Sequence, residues 1–364
     1  MKKLKIAFLI NKLGAGGAER VVTTLANKLS EYFTVYIITF SKNEPFYRLK
    51  KEIQVIPCFK QIKSSENFIE AIKSNYLLLR QIKFIIKTNK INVLIGFMTT
   101  ANVLATVVAK LNNIPVIISE RNNPKKQSIP KFWKLLRNIT YPFANYLVVQ
   151  TSQIQHYFAK KIRKDRLLIL PNPISSELTL NRDIKAIKQN ILLNVGSLTE
   201  QKGQDILIKA FALTNIDDWQ LVIVGEGPKR EKLEILIKEL GIEKNVTLLG
   251  RIKEVHKMYN TSKIFAFSSL YEGFPNALIE AMYFGLPCIS TDCPTGPSEL
   301  IENEVNGYLT PLNDARELAE KLKLLMHDGK KRDLFGTRAM KSVEKFNTDK
   351  VVKEWRLLIE ASIE

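Results

Sequence analysis

Two carboxylates, Glu272 and Glu280, stand with seven residues between them in the stretch SLYEGFPNALIEAMYFGLPCIS, which is otherwise largely apolar. Acids are rarely buried without a partner, so the pair needs an explanation. GFPN between them reads as a turn, and Asn276 is placed to cap a helix over 277–284. That helix is mostly apolar, so it packs inside the protein. Glu280 falls in its first turns and Glu272 lies before it. Free amides at a helix start attract anions, while carboxylates accept from hydroxyls. The constellation suits a ligand that is both phosphate and polyol. The competing reading is a capping acid plus one buried, paired Glu.

Four further loops could add to such a site, and each follows a predicted strand. GAGGAER offers Gly14, Gly16 and Gly17, which admit close approach of backbone amides to an anion. VGSLTEQKGQD places Lys202 at a helix mouth, where an ammonium can meet a phosphate as a point charge. LLGRIKEV brings Arg251 to the end of a strand, and CPTGPSELI adds Glu299 with Ser298 as a cap. Each loop alone reads equally as a strand-ending turn. The first glycine loop is not GxGxxG, and the second strand ends in Thr39-Phe40-Ser41 without an acid for a ribose, which argues against a dinucleotide.

The elements that must position these loops alternate along the chain. IAFLI, VYIITF, VLIGF, VIISE and YLVVQ are strands separated by helical patterns, among them an amphipathic run over 68–87. LILPNPIS then breaks the rhythm, because prolines on both sides of Asn172 force an extended path. A polar stretch follows to about Asn190. ILLNVG, LVIVG, VTLLG, IFAFS and PCIST restart the alternation. Such alternation predicts parallel sheets covered on both faces. The expected fold is α/β, with two Rossmann-like, doubly wound domains facing across a cleft. The boundaries fall at 1–172 and 173–346, with a helix over 347–364 packing back on the first domain. Ligands bind such sheets at the carboxyl ends of their strands, where the loops lie.

Charge is divided unevenly along the 364 residues. Residues 1–180 hold 29 Lys and Arg against 9 Asp and Glu, whereas the remaining 184 hold 26 against 27. The whole net charge of +19 therefore sits in the first half. That half is suited to an anionic partner: a phosphate-rich substrate, an acidic membrane or nucleic acid. Cys58, Cys288 and Cys293 read as reduced core residues of a cytosolic protein. MKKLKIAFLI has too short an apolar run for a signal peptide, and the long uncharged run over 91–109 carries polar residues costly in lipid. No transmembrane span is expected.

Taken together, these motifs resemble the retaining glycosyltransferases of the GT-B fold, family 4. The Glu-x7-Glu element matches as Glu272 and Glu280, the GGAER loop matches, and so does the element Gly196, Lys202, Gly203. The resemblance covers nearly the whole chain and is most like bacterial enzymes that extend lipid-linked O-antigen, capsule or N-glycan precursors.

The resemblance implies roles residue by residue. Glu272 contacts hydroxyls of the donor sugar and Glu280 the ribose. Lys202 neutralises the diphosphate with the amides of Phe274, Pro275, Asn276 and Ala277, and Gly273 also belongs to the donor site. Gly16 and Gly17 close on the phosphates, and Arg251 and Ile252 border the base. Two departures stand out. Ser197 occupies the place of a usual Arg beside Lys202, and Arg121 that of a frequent His. Glu120 keeps its family place, so it and Arg121 are expected near the reaction centre, with Arg121 on the acceptor side.

The implied reaction moves a hexose or N-acetylhexosamine from a nucleotide sugar, UDP-linked rather than GDP-linked, to a polyprenyl-diphosphate-linked saccharide. The acceptor attacks on the face from which the diphosphate leaves. No cofactor or metal is expected. Lys60, Lys63, Lys73, Arg80, Lys83, Lys87 and Lys90 stud one helical region, and Lys125, Lys126, Lys131, Lys134 and Arg137 another, interleaved with Phe132, Trp133 and Leu135. Such mixtures suit peripheral contact with an anionic membrane, here the cytoplasmic face of the plasma membrane. The rival readings are a nucleotide-sugar epimerase, a non-catalytic sugar-binding protein and a basic nucleic-acid-binding protein. The last should show a recognised module; none is evident, and nucleic acid is not expected as a partner.

Overall fold

The computed structural model describes residues 3–61, 67–124 and 129–363. In chain order the elements are β1 (Lys5–Ile10), α1 (Gly17–Leu29), β2 (Thr34–Ser41), β3 (Gln54–Phe59), α2 (Phe68–Asn89), β4 (Val93–Phe97), α3 (Thr99–Asn112), β5 (Val116–Ser119), α4 (Lys131–Thr140), β6 (Tyr146–Val149), α5 (Ser152–Phe158), β7 (Leu167–Ile169), α6 (Ser176–Leu180) and β8 (Gln189–Val195). They continue with α7 (Gln204–Thr214), β9 (Gln220–Val224), α8 (Arg230–Glu239), β10 (Val246–Gly250), α9 (Val255–Thr261), β11 (Ser262–Phe267), α10 (Asn276–Tyr283), β12 (Cys288–Thr291), α11 (Pro297–Leu300), β13 (Gly307–Thr310), α12 (Ala315–His327), α13 (Gly329–Ser342) and α14 (Thr348–Ala361).

Two compact units divide the chain. Unit 1 is Met1–Ser175 with Thr348–Glu364, and unit 2 is Ser176–Asn347. Unit 1 holds a seven-stranded parallel sheet in the order β3-β2-β1-β4-β5-β6-β7. Its central strands are apolar on both faces, as a parallel sheet covered by helices requires. One face packs on α2, α3 and α5 through residues such as Ile82, Leu104 and Phe158. The other packs on α1 and α14, where Trp355 stacks 5.9 Å from Phe97. The Thr348 hydroxyl, at the start of α14, donates to the carbonyl of Ile174. α2 begins at Asn67, whose side chain accepts from Glu70 N at 2.9 Å, and stops at Lys90 in the left-handed region, φ 54°.

Unit 2 repeats the plan with six parallel strands, β10-β9-β8-β11-β12-β13. One face is covered by α7, α8 and α12 through Phe211, Leu233 and Leu322. In this order the direction of winding reverses between β8 and β11, and loops from those two strands lie side by side at their carboxyl ends.

The sequence pattern missed β3, β7 and β13, and all three are sheet edges. Edge strands are short or part-exposed and lack the continuous apolar run of a central strand. β3 even contains Pro57, which an edge tolerates because one side of it needs no ladder donor.

Candidate active site

The loop after β8 and the loop after β11 are sewn together by their own polar groups. Leu270 N donates to Gln201 O at 2.8 Å, and Gln201 Nε2 donates to Tyr271 O at 2.8 Å. Ser268 Oγ donates to Lys202 O at 2.9 Å. The stitching brings Lys202 Nζ to 2.6 Å from Glu272 Oε1. The ammonium also lies 5.4 Å from the centre of the Phe267 ring. Glu272 is buried and Lys202 partly so, which makes this an ion pair with little solvent screening.

Glycines let these backbones meet. Gly203 has φ 56°, and a Cβ there would lie 2.3 Å from Ser268 O. Gly225, after β9, has φ 153°, and its Cβ would lie 1.8 Å from Gly196 O. Both positions exclude any larger residue. The loop after β12 closes the far side: the Thr295 hydroxyl donates to the Glu272 carbonyl, and a Cβ on Gly296 would meet Pro275 Cδ at 2.5 Å.

Glu280, on α10, is buried and accepts from Tyr259 OH at 3.0 Å. Both expected carboxylates therefore sit at the carboxyl end of the same sheet, each held by a named partner. Ser197 is exposed on the loop that carries Lys202, and Gln204 Nε2 donates to its carbonyl at 3.1 Å. Arg251 is exposed and Ile252 half-buried, just past a bulge at Gly250 in β10. Beside them, Arg230 ties Glu226 at 3.0 Å to Leu248 O at 3.0 Å.

The start of α10 corrects two details. Asn276 is the first helical residue, with Pro275 before it, and Asn276 N already donates to Phe274 O at 3.0 Å. Pro275 has no N–H at all. Neither amide is available to a phosphate, which leaves those of Gly273, Phe274 and Ala277 as the candidates in this loop. Likewise Ser298 does not cap α11, whose preceding residue is Gly296.

Unit 1 places the remaining expected residues differently. Gly16 and Gly17 open α1, but the Glu19 carboxylate folds onto that turn; a Cβ on Gly16 would lie 2.2 Å from Glu19 Oε2. The corner expected to hold an anion is thus faced by the helix's own acid. Glu120 has no exposed surface: Tyr141 OH donates to it at 2.7 Å, Thr99 Oγ1 at 2.9 Å and Arg121 N at 3.2 Å. Burial raises its pKa against the pull of Tyr141 and Arg137. These bonds anchor Glu120 at the start of the loop after β5.

Arg121 is also buried, with its guanidinium 4.6 Å from the Phe97 ring centre and 5.9 Å from that of Trp355, and it donates to Asn172 Oδ1. Burial brings its pKa down to about 9, against the nearby Glu120. It braces the interior of unit 1 and is no membrane contact. Arg137 is buried too, donating to Tyr157 OH at 3.3 Å, and Trp133 leans on the core. Arg80, Lys131 and Lys134 are exposed and Lys83 is half-buried. Lys63, Lys125 and Lys126 lie outside the described residues.

Three contributors escaped the sequence reading: Tyr259, Thr295 and the Gly225-Glu226-Gly227 turn. The turn carries a signal, glycines bracketing an acid directly after a strand. Tyr259 and Thr295 carry none, since their partners are distant in sequence. Among the described residues, no group of three His, Cys, Asp or Glu is placed to hold a metal ion, and no helix is long and apolar enough to cross a membrane.

Two parallel Rossmann-like sheets, with a Lys–Glu pair and a second acid at the winding reversal of unit 2, define the GT-B class of glycosyltransferases. Residues 15–178 match the family model described as Glycosyltransferase Family 4, and residues 179–342 that described as Glycosyl transferases group 1. The chain is 33% identical over 360 residues, 98% of each chain, to the GalNAc-alpha-(1->4)-GalNAc-alpha-(1->3)-diNAcBac-PP-undecaprenol alpha-1,4-N-acetyl-D-galactosaminyltransferase of Campylobacter jejuni. It is 27% identical to the amylovoran biosynthesis glycosyltransferase AmsD of Erwinia amylovora, over 96% of this chain and 98% of that one. Its fold superposes with a TM-score of 0.80 on Anabaena Alr3699/HepE, solved in complex with UDP, at 19% identity over 98% of this chain and 100% of that one. The protein belongs to glycosyltransferase family 4 and is a glycosyltransferase.

Proposed function

We propose that the protein transfers an N-acetylhexosamine or hexose, with retention, from a UDP-sugar to a polyprenyl-diphosphate-linked saccharide in surface-polysaccharide or glycan-precursor assembly. The Lys202–Glu272 pair beside the start of α10 carries this reading. Two relatives support the acceptor class: the C. jejuni transferase above, and a second from the same species, 29% identical, named for an N-acetylgalactosamine-N,N'-diacetylbacillosaminyl-diphospho-undecaprenol acceptor.

Without ligand, Lys202 and Glu272 neutralise one another. A diphosphate arriving at the mouth of α10 offers Lys202 a stronger anionic partner and frees Glu272 to accept from hydroxyls of the donor sugar. Glu280, oriented by Tyr259, accepts from the ribose. The acceptor hydroxyl bonds to the anomeric carbon on the face from which the nucleotide leaves, and its proton passes to the departing phosphate oxygen. Charge grows on that phosphate, so Lys202 and the amides of Gly273, Phe274 and Ala277 lower the barrier electrostatically. In this reading they take the place of a metal, and turnover persists in a chelator.

Unit 1 supplies the membrane contact. The outer side of α2 exposes Ile69, Ile72, Tyr76 and Leu77 near its start and Arg80, Phe84 and Lys87 further on, and α4 exposes Phe132 and Leu135 beside Lys131 and Lys134. Apolar side chains among cations suit the anionic cytoplasmic leaflet.

The test is a screen of nucleotide sugars against undecaprenyl-diphosphate-linked saccharides, with the anomeric linkage of the product read by NMR. An α-linked product from an α-linked donor is expected. Epimerised or free sugar formed without acceptor would transfer the assignment to a nucleotide-sugar epimerase.

A further inference from the structure

The three most exposed large hydrophobic side chains among the described residues belong to one short segment of unit 2. Leu180 is 84% exposed, Ile184 80% and Ile187 85%. They are not on a loose tail. Asp183 N donates to Asn260 Oδ1 at 2.9 Å, Asn260 Nδ2 to Asn181 O at 2.9 Å, and Lys185 N to Asp183 Oδ1 at 2.9 Å. Arg182 lies 5.0 Å from the centre of the Tyr283 ring. A well-tied turn therefore holds three aliphatic side chains out in water, against the hydrophobic effect.

The charges around them choose the occupant. Arg182, Lys185 and Lys188 outnumber the single acid Asp183. Lys185 is exposed, while Arg182 is half-buried against the Tyr283 ring and Lys188 is half-buried with its ammonium donating to the Tyr259 carbonyl at 3.4 Å. Protein-binding hot spots centre on aromatic and Arg anchors seated in pockets. Here the apolar groups are aliphatic and project almost free of their own protein, with the exposed Lys185 between them in a segment of net positive charge, which is the composition that enters an anionic lipid interface.

We propose that the segment Leu180–Lys188 is a membrane-inserting turn, through which the nucleotide-sugar unit makes its own contact with anionic lipid, separate from α2 and α4. The proposal rests on the membrane reading above, extended from unit 1 to unit 2.

Sedimentation of the full chain with vesicles of phosphatidylglycerol and phosphatidylethanolamine, against phosphatidylcholine alone, tests both. The double variant Ile184→Glu, Ile187→Glu should partition to the anionic vesicles roughly ten-fold or more below the parent. Both side chains are surface groups, and circular dichroism checks the variant's fold. Independently, an Ile187→Cys variant labelled with an environment-sensitive fluorophore should shift to the blue on anionic vesicles. If the parent fails to bind anionic vesicles, the membrane reading and the turn both fall. If the parent binds while the double variant binds equally and the label stays in water, the turn alone is wrong. A blue shift that grows with protein concentration and needs no vesicle would make the segment a contact between copies of the chain, and overturn the proposal.

Discussion

Lys202 Nζ lies 2.6 Å from Glu272 Oε1, where the loops after β8 and β11 are stitched together. The two charges are unequally sheltered, with the Glu272 side chain 6% exposed and that of Lys202 20%. Lys202→Ala therefore strands a buried carboxylate, at about 3–5 kcal/mol of stability. In the proposed mechanism it also removes the cation at the leaving group, which should lower kcat about 10²–10³-fold. Adding Glu272→Ala should recover part of the stability and none of the turnover. Chemical denaturation of the two single variants and the double variant checks this; equal stability of Lys202→Ala and the parent would show that the pair carries no weight.

Tyr259 acts through Glu280. Tyr259→Phe keeps the ring packing and removes the hydroxyl that fixes one carboxylate oxygen. Losing such a bond to a charged group costs about 1.5–3 kcal/mol. The expected result is a nucleotide-sugar KM raised roughly ten-fold or more, with kcat changed much less. Calorimetric titration with the nucleotide alone should show the same weakening, because the proposed role of Glu280 is toward the ribose and not the sugar.

Glycine replacements separate backbone clash from backbone strain. Gly225→Ala drives a Cβ to 1.8 Å from Gly196 O, and the obstacle is main chain that cannot swing away. Unit 2 should lose more than about 4 kcal/mol, the range of the severest single substitutions. Gly241, at φ 66°, has nothing within 4 Å of a built Cβ, so Gly241→Ala should cost only about 1–2 kcal/mol. Thermal melts of the two variants give the comparison.

How much of this could be read from the chain depends on where each residue's partners lie. Central strands were legible because burial on both faces demands an unbroken apolar run, and edge strands such as β7 were not. Glu272, Glu280 and Lys202 were legible because acids and a lysine among apolar residues and glycine turns are costly anomalies. Arg137 misled for the opposite reason. A charge beside aromatic residues suggests a surface, yet here the aromatic rings are the walls of a buried seat. Tyr259 and Thr295 looked like ordinary helix and loop residues, since only folding brings them to Glu280 and Glu272.

Lys188 gives a pH signature. Burial, then the nearby Arg182, lowers its pKa to about 8 from 10.5. The folded state thus binds this proton less well than the unfolded state does. The group's contribution is most favourable above pH 10.5 and is lost as the pH falls through 8. Lys188→Met should melt higher than the parent at pH 7, and the gap should narrow between pH 8 and 10.5. Paired melting curves across that range provide the check; a gap independent of pH would contradict it.

The thiols should be silent in the native state. Cys58, Cys288 and Cys293 are all buried and unpaired. Burial pushes the Cys58 thiol up to about 12, and Cys293 likewise to about 12 with the Glu272 charge adding to the effect. Ellman's reagent at pH 8 should titrate almost no thiol before denaturant is added and three afterwards, the full cysteine content.

The packing of α14 onto unit 1 bears on how the protein is made. Val351, Val352, Trp355, Leu358 and Ile359 belong to the same apolar layer as Ile6, Phe8 and Leu25. On the ribosome, the first strand therefore waits for more than three hundred residues before the helix that shields it is synthesised. The unit translated first is completed last, and in that interval its uncovered sheet face is a natural client for a chaperone.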